Sequence, residues 1–444
     1  MRINIPKKAL YILDILKSSG YEAYIVGGCV RDSLLKKTPT DWDICTSCPP
    51  DNCMRIFLSV GIKSIPTGLS HGTITVLIDG DFFEITTFRI ESDYMMHRKP
   101  TSVSFVSDIT KDLERRDFTI NAMAYNPSSG LIDPFNGKTD LKNKIIRCVG
   151  NPNDRFNEDA LRILRAFRFS SQLSFDIEKN TASAMISKKE NIKSLSMERI
   201  KIEFEKILMS NPKILIDMHK SKVLELFIPE FCNSFELYDK SVSHIYDLAT
   251  TSILAIIDSD LDLEIRLAIL FHALGKVDSN ISDFKISNAL EENYSRYSVL
   301  IAQSILKKLR YDNITISTVS ALVKYHNNYF EDKISIKKFL RKFPVELFPK
   351  LLNIQAVLMP DKINDTVSKS SDLFNEILKN KEPFLLKDLN INGNSLIMSG
   401  IPRGKHMRLI LDSLLDIVIE NPSMNKEDFL LSKSKEIYSL KFSN

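Results

Sequence analysis

Glycine and proline together are scarce, 14 and 17 among 444 residues, about 7% against a usual roughly 12%. A collagen-like, disordered or loop-dominated chain is thereby excluded. Six cysteines (Cys29, Cys45, Cys48, Cys53, Cys148, Cys232) in so long a chain are too few for a disulfide-stapled scaffold and read as reduced thiols. No uninterrupted apolar run approaches the roughly 18 to 20 residues of a membrane span. The opening MRINIPKKALYILDILKSSG carries Lys7, Lys8 and Asp14 inside its apolar pattern, which fits an amphipathic helix rather than a secretory leader. A cytoplasmic protein without a membrane partner is expected. Charge of one sign is lacking too: 60 Lys and Arg against 56 Asp and Glu leave +4, so a nucleic-acid partner must be met by local placement of cations.

What the chain has is length, with 43% apolar and 26% charged residues, enough for several packed helix-rich units. Strand-like signals concentrate before residue 150, at 22–28, 41–46, 72–80, 81–88 and 120–127, with Asp79-Gly80-Asp81 reading as a hairpin turn. From Asn157 onward EDALRILRAFRFSSQL, SMERIKIEFEKILM, LEIRLAILFHAL, YSVLIAQSILKKL and MRLILDSLLDIVIE place apolar residues three and four apart, the period of helices. The fold class is therefore an α+β head followed by an all-α remainder.

Several constellations carry chemistry. Gly27-Gly28-Cys29-Val30-Arg31-Asp32 sits where an apolar strand ends and a helix begins. Paired glycines admit a ligand close to the backbone, a helix N-terminus offers N–H groups to phosphate, and Arg31 reaches the same anion. An ordinary strand-helix turn looks the same. Asp41-Trp42-Asp43 on a strand sends both carboxylates to one face, suited to Mg²⁺, which keeps one or two protein carboxylates and takes other ligands from water and phosphates; an isolated D-x-D is more often a polar turn. Glu84 is a candidate third carboxylate or a plain exposed strand residue. Arg115-Arg116-Asp117-Phe118-Thr119 offers guanidinium forks for phosphate, with Asp117 or Asn121 for a ribose, or an exposed salt-bridge cluster. In Glu158-Asp159-Ala160-Leu161-Arg162, Asp159 and Arg162 fall on one helical face and Arg165 and Arg168 continue the stripe. Leu161, Ile163, Leu164 and Phe167 bury the opposite side, so the four charged residues are expected to converge on a cleft. An Asp159–Arg162 intrahelical ion pair is the bland alternative.

In this order, through IVGGCVRD, TDWDICTS, SHGTITV, FEITTFR, DLERRDFTINAMAYN, RFNEDALRILRAFRFS and SMERI, the motifs resemble the class II tRNA nucleotidyltransferases, the CCA-adding enzymes. These share a head with bacterial poly(A) polymerases and a core related to DNA polymerase beta. The resemblance implies a nucleotidyltransferase head over 1–150 with a mixed sheet, a base-reading helical neck over 151–210, a helical body over 211–360 and a tRNA-holding tail over 361–444. It implies Asp41 and Asp43 as catalytic metal ligands holding Mg²⁺, and Glu84, from its place on the strand after the hairpin, is expected with them in the catalytic set. It also implies nucleotide contacts from Gly28, Arg31, Arg116, Asp159, Arg162, Arg165 and Arg168, with tRNA, ATP and CTP as partners and no obligate protein partner. A carboxylate only accepts and a guanidinium only donates, so Asp159 facing an exocyclic amino group and Arg162 facing a ring nitrogen would suit cytosine and adenine and mismatch uracil and guanine. A tail of Gram-positive type is implied by DLNINGNSLIMSGIPRGKHMRLILDSLL, with a basic cluster at Arg403, Lys405 and Arg408. The loop from Glu91 to Phe105, shortened in relatives that add only CC, is here of full length.

One segment departs from a familiar pattern. RLAILFHALGK resembles the core of an HD-type metal phosphohydrolase, but His272 is followed by Ala273 where that pattern has aspartate. His244 and His326 read as remnants, and the region as scaffold. Cys45-x-x-Cys48 with Cys53 lacks a fourth zinc ligand. A poly(A) polymerase or a partial, CC- or A-adding enzyme remains the alternative activity, and an RNA-binding scaffold or HD phosphohydrolase the alternative class.

Overall fold

The computed structural model describes residues 3–95, 99–237, 246–281, 290–358 and 364–442, which form two compact units, 1–229 and 230–444. His244 and residues 96–98 of the loop between Glu91 and Phe105 lie outside the described residues.

The first unit is built on a mixed sheet. Its strands are β1 (Ala23–Val26), β2 (Ile44–Thr46), β3 (Lys63–Gly68), β4 (Thr73–Ile78) and β5 (Asp81–Thr87); β6 (Arg89–Met95) and β7 (Lys99–Phe105) form a separate hairpin, and β8 (Ala124–Asn126) and β9 (Gly130–Ile132) complete the set. The order across the sheet is β3-β4-β5-β2-β1-β8-β9. Strand β2 runs parallel to β5 with Ile44 opposite Ile85, while β1 flanks it antiparallel with Ile25 opposite Ile44. The expected turn joins β4 to β5: Ile78 pairs with Asp81 across Asp79 and Gly80, both at positive φ, as a two-residue hairpin of matching twist requires.

Four buried residues in a row, AYIV, make β1 a central strand covered on both faces. On one side lies helix α1 (Lys7–Ser18), with Ile12, Leu13 and Leu16 inward. On the other a cluster joins Tyr24, Val26, Cys45, Phe88, Ile109, Leu113, Ala122 and Val149. Helix α2 (Gly28–Leu34) leaves the end of β1, α3 (Pro50–Ser59) follows β2, α4 (Ile109–Glu114) follows the hairpin, and α5 (Gly137–Asn143) follows β9. The segment expected as one strand over 120–127 is divided into a 3₁₀ turn at Thr119–Asn121 and β8. The strand is short because only 124–126 have a partner in β1 or β9.

Beyond the sheet come α6 (Pro152–Glu158), α7 (Leu161–Leu173), α8 (Lys179–Lys188) and α9 (Met197–Leu208). Asn151 caps α6 through the Asn153 N–H at 3.1 Å, satisfying a donor the helix cannot. Helix α7 buries Ile163, Leu164, Ala166 and Phe167, and α9 buries Ile200, Phe204, Ile207 and Leu208.

Every regular element of the second unit among its described residues is a helix. Aspartates set its helix starts: Asp247, Asp262, Asp312 and Asp332 each accept a backbone N–H two or three residues on. Phe330, Phe339, Phe343, Phe348 and Phe374 make one aromatic core, and Leu396, Ile410, Leu414, Val418 and Leu430 a second. The basic cluster near 403 does fall at a helix start, His406–Glu420, with Arg408 paired to Asp412 at 3.1 Å.

Candidate active site

A cavity of about 450 Å³ opens in the first unit, lined by Gly27, Gly28, Asp43, Asp117, Asn121, Asp159 and Phe169 together with the guanidiniums of Arg31, Arg115, Arg116, Arg162, Arg165, Arg168 and Arg199. Seven arginines against three aspartates make it strongly cationic, the complement of a polyanion. Every nucleotide-contact position expected from the sequence lies on its wall, as does Asp43; Asp41 and Glu84 are not among the lining residues.

The floor is the turn out of β1. Gly27 has φ +78° and a side chain there would press on Arg116 Nη1 at 3.1 Å, so only glycine allows both the backbone and the arginine. Its N–H donates to the Met123 carbonyl at 3.1 Å, which ties the turn to the end of the 3₁₀ segment. One residue on, at the start of α2, Gly28 bares the backbone beside Arg31 Nη2. Arg31 is clamped by Asp32 at 2.8 Å and donates through Nη1 to Asn121 at 2.7 Å.

The aspartates of D-x-D differ from expectation in one respect: they precede the strand, which begins at Ile44. The antiparallel partner β1 ends at Val26 and turns away, so the last bond on that side is Val26 N–H to the Asp43 carbonyl at 3.0 Å. The parallel register still sets Asp43 beside Glu84, since each immediately precedes one member of the Ile44–Ile85 pair. Although Asp43 keeps an exposed edge, burial of its carboxyl and the charges of Glu84 and Asp41 raise its pKa, against the opposing pull of Arg116. Among the described residues, no group of three or more His, Cys, Asp or Glu is gathered to hold a metal. Asp43, with Asp41 and Glu84 near enough to act on its charge, is the hard oxygen donor chemistry that suits a divalent cation taking its other ligands from water and substrate phosphates.

Arg116 donates to the wholly buried Asp112 at 3.1 Å, while its buried Nε has no partner. Burial works against its charge, but Asp112 above all holds its pKa up. Asp117 is the hub of the next layer. It accepts from the Phe118 N–H at 2.8 Å, from Asn121 at 3.2 Å and from Arg165 Nε at 2.8 Å. Burial would raise this carboxyl, yet the charge and hydrogen bond of Arg165 and the charge of Arg162 bring it down to about 2.

The expectation for Asp159 and Arg162 is corrected. Asp159 is not on the helix: with φ −140° and ψ 106° it is extended between α6 and α7, and its Oδ1 caps α7 by accepting the Leu161 N–H at 3.0 Å. The break frees the carboxylate from the helical stripe and turns its Oδ2 to Arg199 at 2.8 Å. Arg162 instead pairs with Glu158 at 2.7 Å and donates to the Arg115 carbonyl at 2.8 Å. Arg168 is buried against Glu203 and donates to Gln172 at 3.0 Å, a supporting place in the wall. Arg199 and Phe169 carried no assignment in the sequence reading; SMERI contains the first, and the second is hidden in an apolar run.

The HD-like segment gathers His272 and His326 with rings 5.1 Å apart. Each Nδ1 faces a carbonyl of its own helix, Ile269 and Val323, at 2.7 Å, and His326 Nε2 meets Tyr294 Oη at 3.0 Å. Ala273 is buried between them in sequence and supplies no ligand.

The family described as "Poly A polymerase head domain" matches residues 23–147, and that described as "Probable RNA and SrmB- binding site of polymerase A" matches 174–235. The chain is 34% identical to the CCA-adding enzyme of Staphylococcus epidermidis, over 90% of this chain and 98% of that one. It is also 34% identical to that of Ligilactobacillus salivarius, over 98% of each. The crystal structure of the Bacillus stearothermophilus CCA-adding enzyme in complex with CTP superposes with a TM-score of 0.74 at 26% identity, covering 98% of each chain. With a mixed-sheet nucleotidyltransferase head, a helical remainder and relatives aligned along nearly its whole length, the chain belongs to the CCA-adding enzymes.

Proposed function

We propose that this enzyme adds C, C and A in turn to the 3′ end of tRNA, without a nucleic-acid template, from CTP and ATP. In each addition the terminal 3′-hydroxyl oxygen bonds to the α-phosphorus, the bond to the β-phosphate bridge breaks, and pyrophosphate leaves. The observation that carries this reading is the cationic cavity that brings Asp159 and Arg162 to the same wall as the Gly27–Gly28 turn and Asp43. A base reader and a phosphate-transfer centre thus face one bound nucleotide.

Within it, the backbone at Gly28 and the guanidiniums of Arg31, Arg116 and Arg165 take the triphosphate, with Arg168 behind them. Asp159 accepts from the exocyclic amino group of cytosine or adenine and Arg162 donates to the adjacent ring nitrogen. Uracil and guanine meet acceptor against acceptor and donor against donor, leaving desolvated groups unpaired. Asp41 and Asp43 would hold Mg²⁺, with Glu84 beside them; when bound, it lowers the pKa of the attacking hydroxyl and stabilises departing pyrophosphate. Asp117 keeps Arg165 and Asn121 oriented through its three bonds. The segments 1–150, 151–210, 211–360 and 361–444 serve as head, neck, body and tail, with 361–444 holding tRNA.

The test is to incubate the purified chain with tRNA lacking its terminal triplet and each nucleotide separately, then CTP with ATP. CTP alone should extend by two, ATP alone by none, and both together by three. Long A tracts would indicate a poly(A) polymerase, extension by C alone a CC-adding enzyme, and no extension would overturn the reading.

A further inference from the structure

The cavity poses an electrostatic difficulty. Guanidiniums packed this closely repel one another, and carboxylates that relieve the repulsion also cancel the charge that a triphosphate needs. Asp32, Asp117 and Glu203 each partner one of them, and every such anion would repel substrate. An aromatic ring does otherwise: its negative face attracts a cation without carrying net charge.

One ring meets three of these cations. The guanidinium carbons of Arg168, Arg31 and Arg165 lie 4.1, 5.2 and 5.3 Å from the centroid of Phe169. The ring itself is 4% exposed, so these contacts are made out of water, where they are strongest. Phe118, which follows Asp117 directly, fixes the ring edge-on at 5.7 Å and 81°. Arg31 comes from α2, Arg165 and Arg168 from α7, and Phe118 from the segment between α4 and the 3₁₀ turn, so Phe169 joins three chain segments at one point. The base-reading pair is anchored elsewhere, by Arg199 and Glu158.

We propose that Phe169 is a positioning residue for the triphosphate. Its ring holds Arg31, Arg165 and Arg168 in place without discharging them, and sets the affinity for any nucleotide while leaving the choice of base to Asp159 and Arg162. This rests on the reading of the cavity given above.

The decisive experiment replaces Phe169 with mono-, di- and trifluorinated phenylalanines, which keep the ring's shape while draining its negative face in steps. KM for CTP and for ATP is measured with thermal unfolding and with UTP and GTP as competitors. KM should rise with each fluorine, reaching about tenfold or more across the series, equally for CTP and ATP, with Tm and base selectivity unchanged. Phe169→Leu should raise KM further, and Phe169→Trp should restore most of the affinity that leucine loses. A KM that stays flat across the fluorinated series, or one that follows only the loss of Tm in Phe169→Leu, would overturn the proposal and leave the ring as packing. Failure of the functional reading is separate and visible first: the unsubstituted chain would then incorporate neither nucleotide.

Discussion

Two regions of this molecule gather buried titratable groups, and they treat charge in opposite ways. In the arginine-rich cavity of residues 1–229, pairing overrides burial at two central groups, Arg165 holding Asp117 down at about 2 and Asp112 keeping Arg116 charged, while burial still raises Asp43 and lowers Arg115 and Arg168. Around His272 and His326 in residues 230–444 burial wins, and His326 is pushed down to about 4. In the first region each arginine of the cavity has a carboxylate partner, and more cations than anions face the opening. In the second, buried His326 is held by the Val323 carbonyl and the Tyr294 hydroxyl, and burial drives its imidazole toward the neutral form.

The strongest blow to the comparison falls on the carboxylates. Asp43→Asn, and separately Asp41→Asn, should cut nucleotide incorporation by about a thousandfold or more while tRNA affinity, read by gel shift, stays within about twofold, since phosphate contacts elsewhere carry binding. Substantial turnover in both variants would remove Asp41 and Asp43 from the chemistry.

Next comes selectivity. Asp159→Ala should lower kcat/KM for CTP and ATP by about a hundredfold and narrow their advantage over UTP and GTP, which for a pair of directional bonds is about 10⁴. Arg199→Ala should act in the same direction by about tenfold, because Arg199 holds the Asp159 carboxylate at 2.8 Å. Unchanged discrimination among the four nucleotides in Asp159→Ala would leave that residue as the cap of α7.

These variants also mark how far the chain could be read before its structure was known. The mixed-sheet head, the Asp79–Gly80 hairpin and the long helices follow local rules of alternation, turn chemistry and period, so they were legible. The convergence of Gly28, Arg31, Arg116 and the 159–168 segment was legible through the order of motifs, not through any one of them. What stayed hidden is long-range or depends on a break in local structure. Asp159 looks helical by spacing, yet an extended residue interrupts the helix and hands its carboxylate to Arg199, forty residues on. Strands β3 and β9 lack an alternating pattern because one is an exposed edge and the other only half-buried. Phe169 reads as core because its burial is that of core; only its neighbours make it unusual.

A smaller effect, on stability, contrasts the two regions directly. His326 is neutral when folded down to about pH 4, whereas in the unfolded chain it takes a proton below about 6.5. The unfolded state therefore binds more protons between those values, and folding weakens as pH falls through that window, by about 3 kcal/mol at its end. Asp117 has the opposite arrangement: its depressed pKa lends stability that is present above its ordinary range and is lost as pH falls toward about 2. Urea unfolding of the full chain should show the first loss between pH 6.5 and 4, absent in His326→Gln, and the second only below it, absent in Asp117→Asn. A single window shared by both variants would erase the distinction.

The smallest expected effect is none at all, and it bears on the same contrast. A phosphohydrolase centre of the HD type needs imidazole nitrogens and a carboxylate turned toward a metal. Because a carbonyl only accepts, the bonds to Ile269 and Val323 make each Nδ1 a donor and leave Nε2 as the acceptor in the neutral ring. For His326 that acceptor is taken by the Tyr294 hydroxyl, and Ala273 offers nothing in place of aspartate. The full chain, assayed with 2′,3′-cyclic nucleotides and phosphomonoesters under Ni²⁺, Mn²⁺ or Mg²⁺, should hydrolyse neither above background, and His272→Ala should incorporate CTP and ATP at the rate of the unsubstituted enzyme. Metal-dependent hydrolysis abolished by His272→Ala would show that two imidazoles suffice where a carboxylate has been lost, and would make the second region a working site after all.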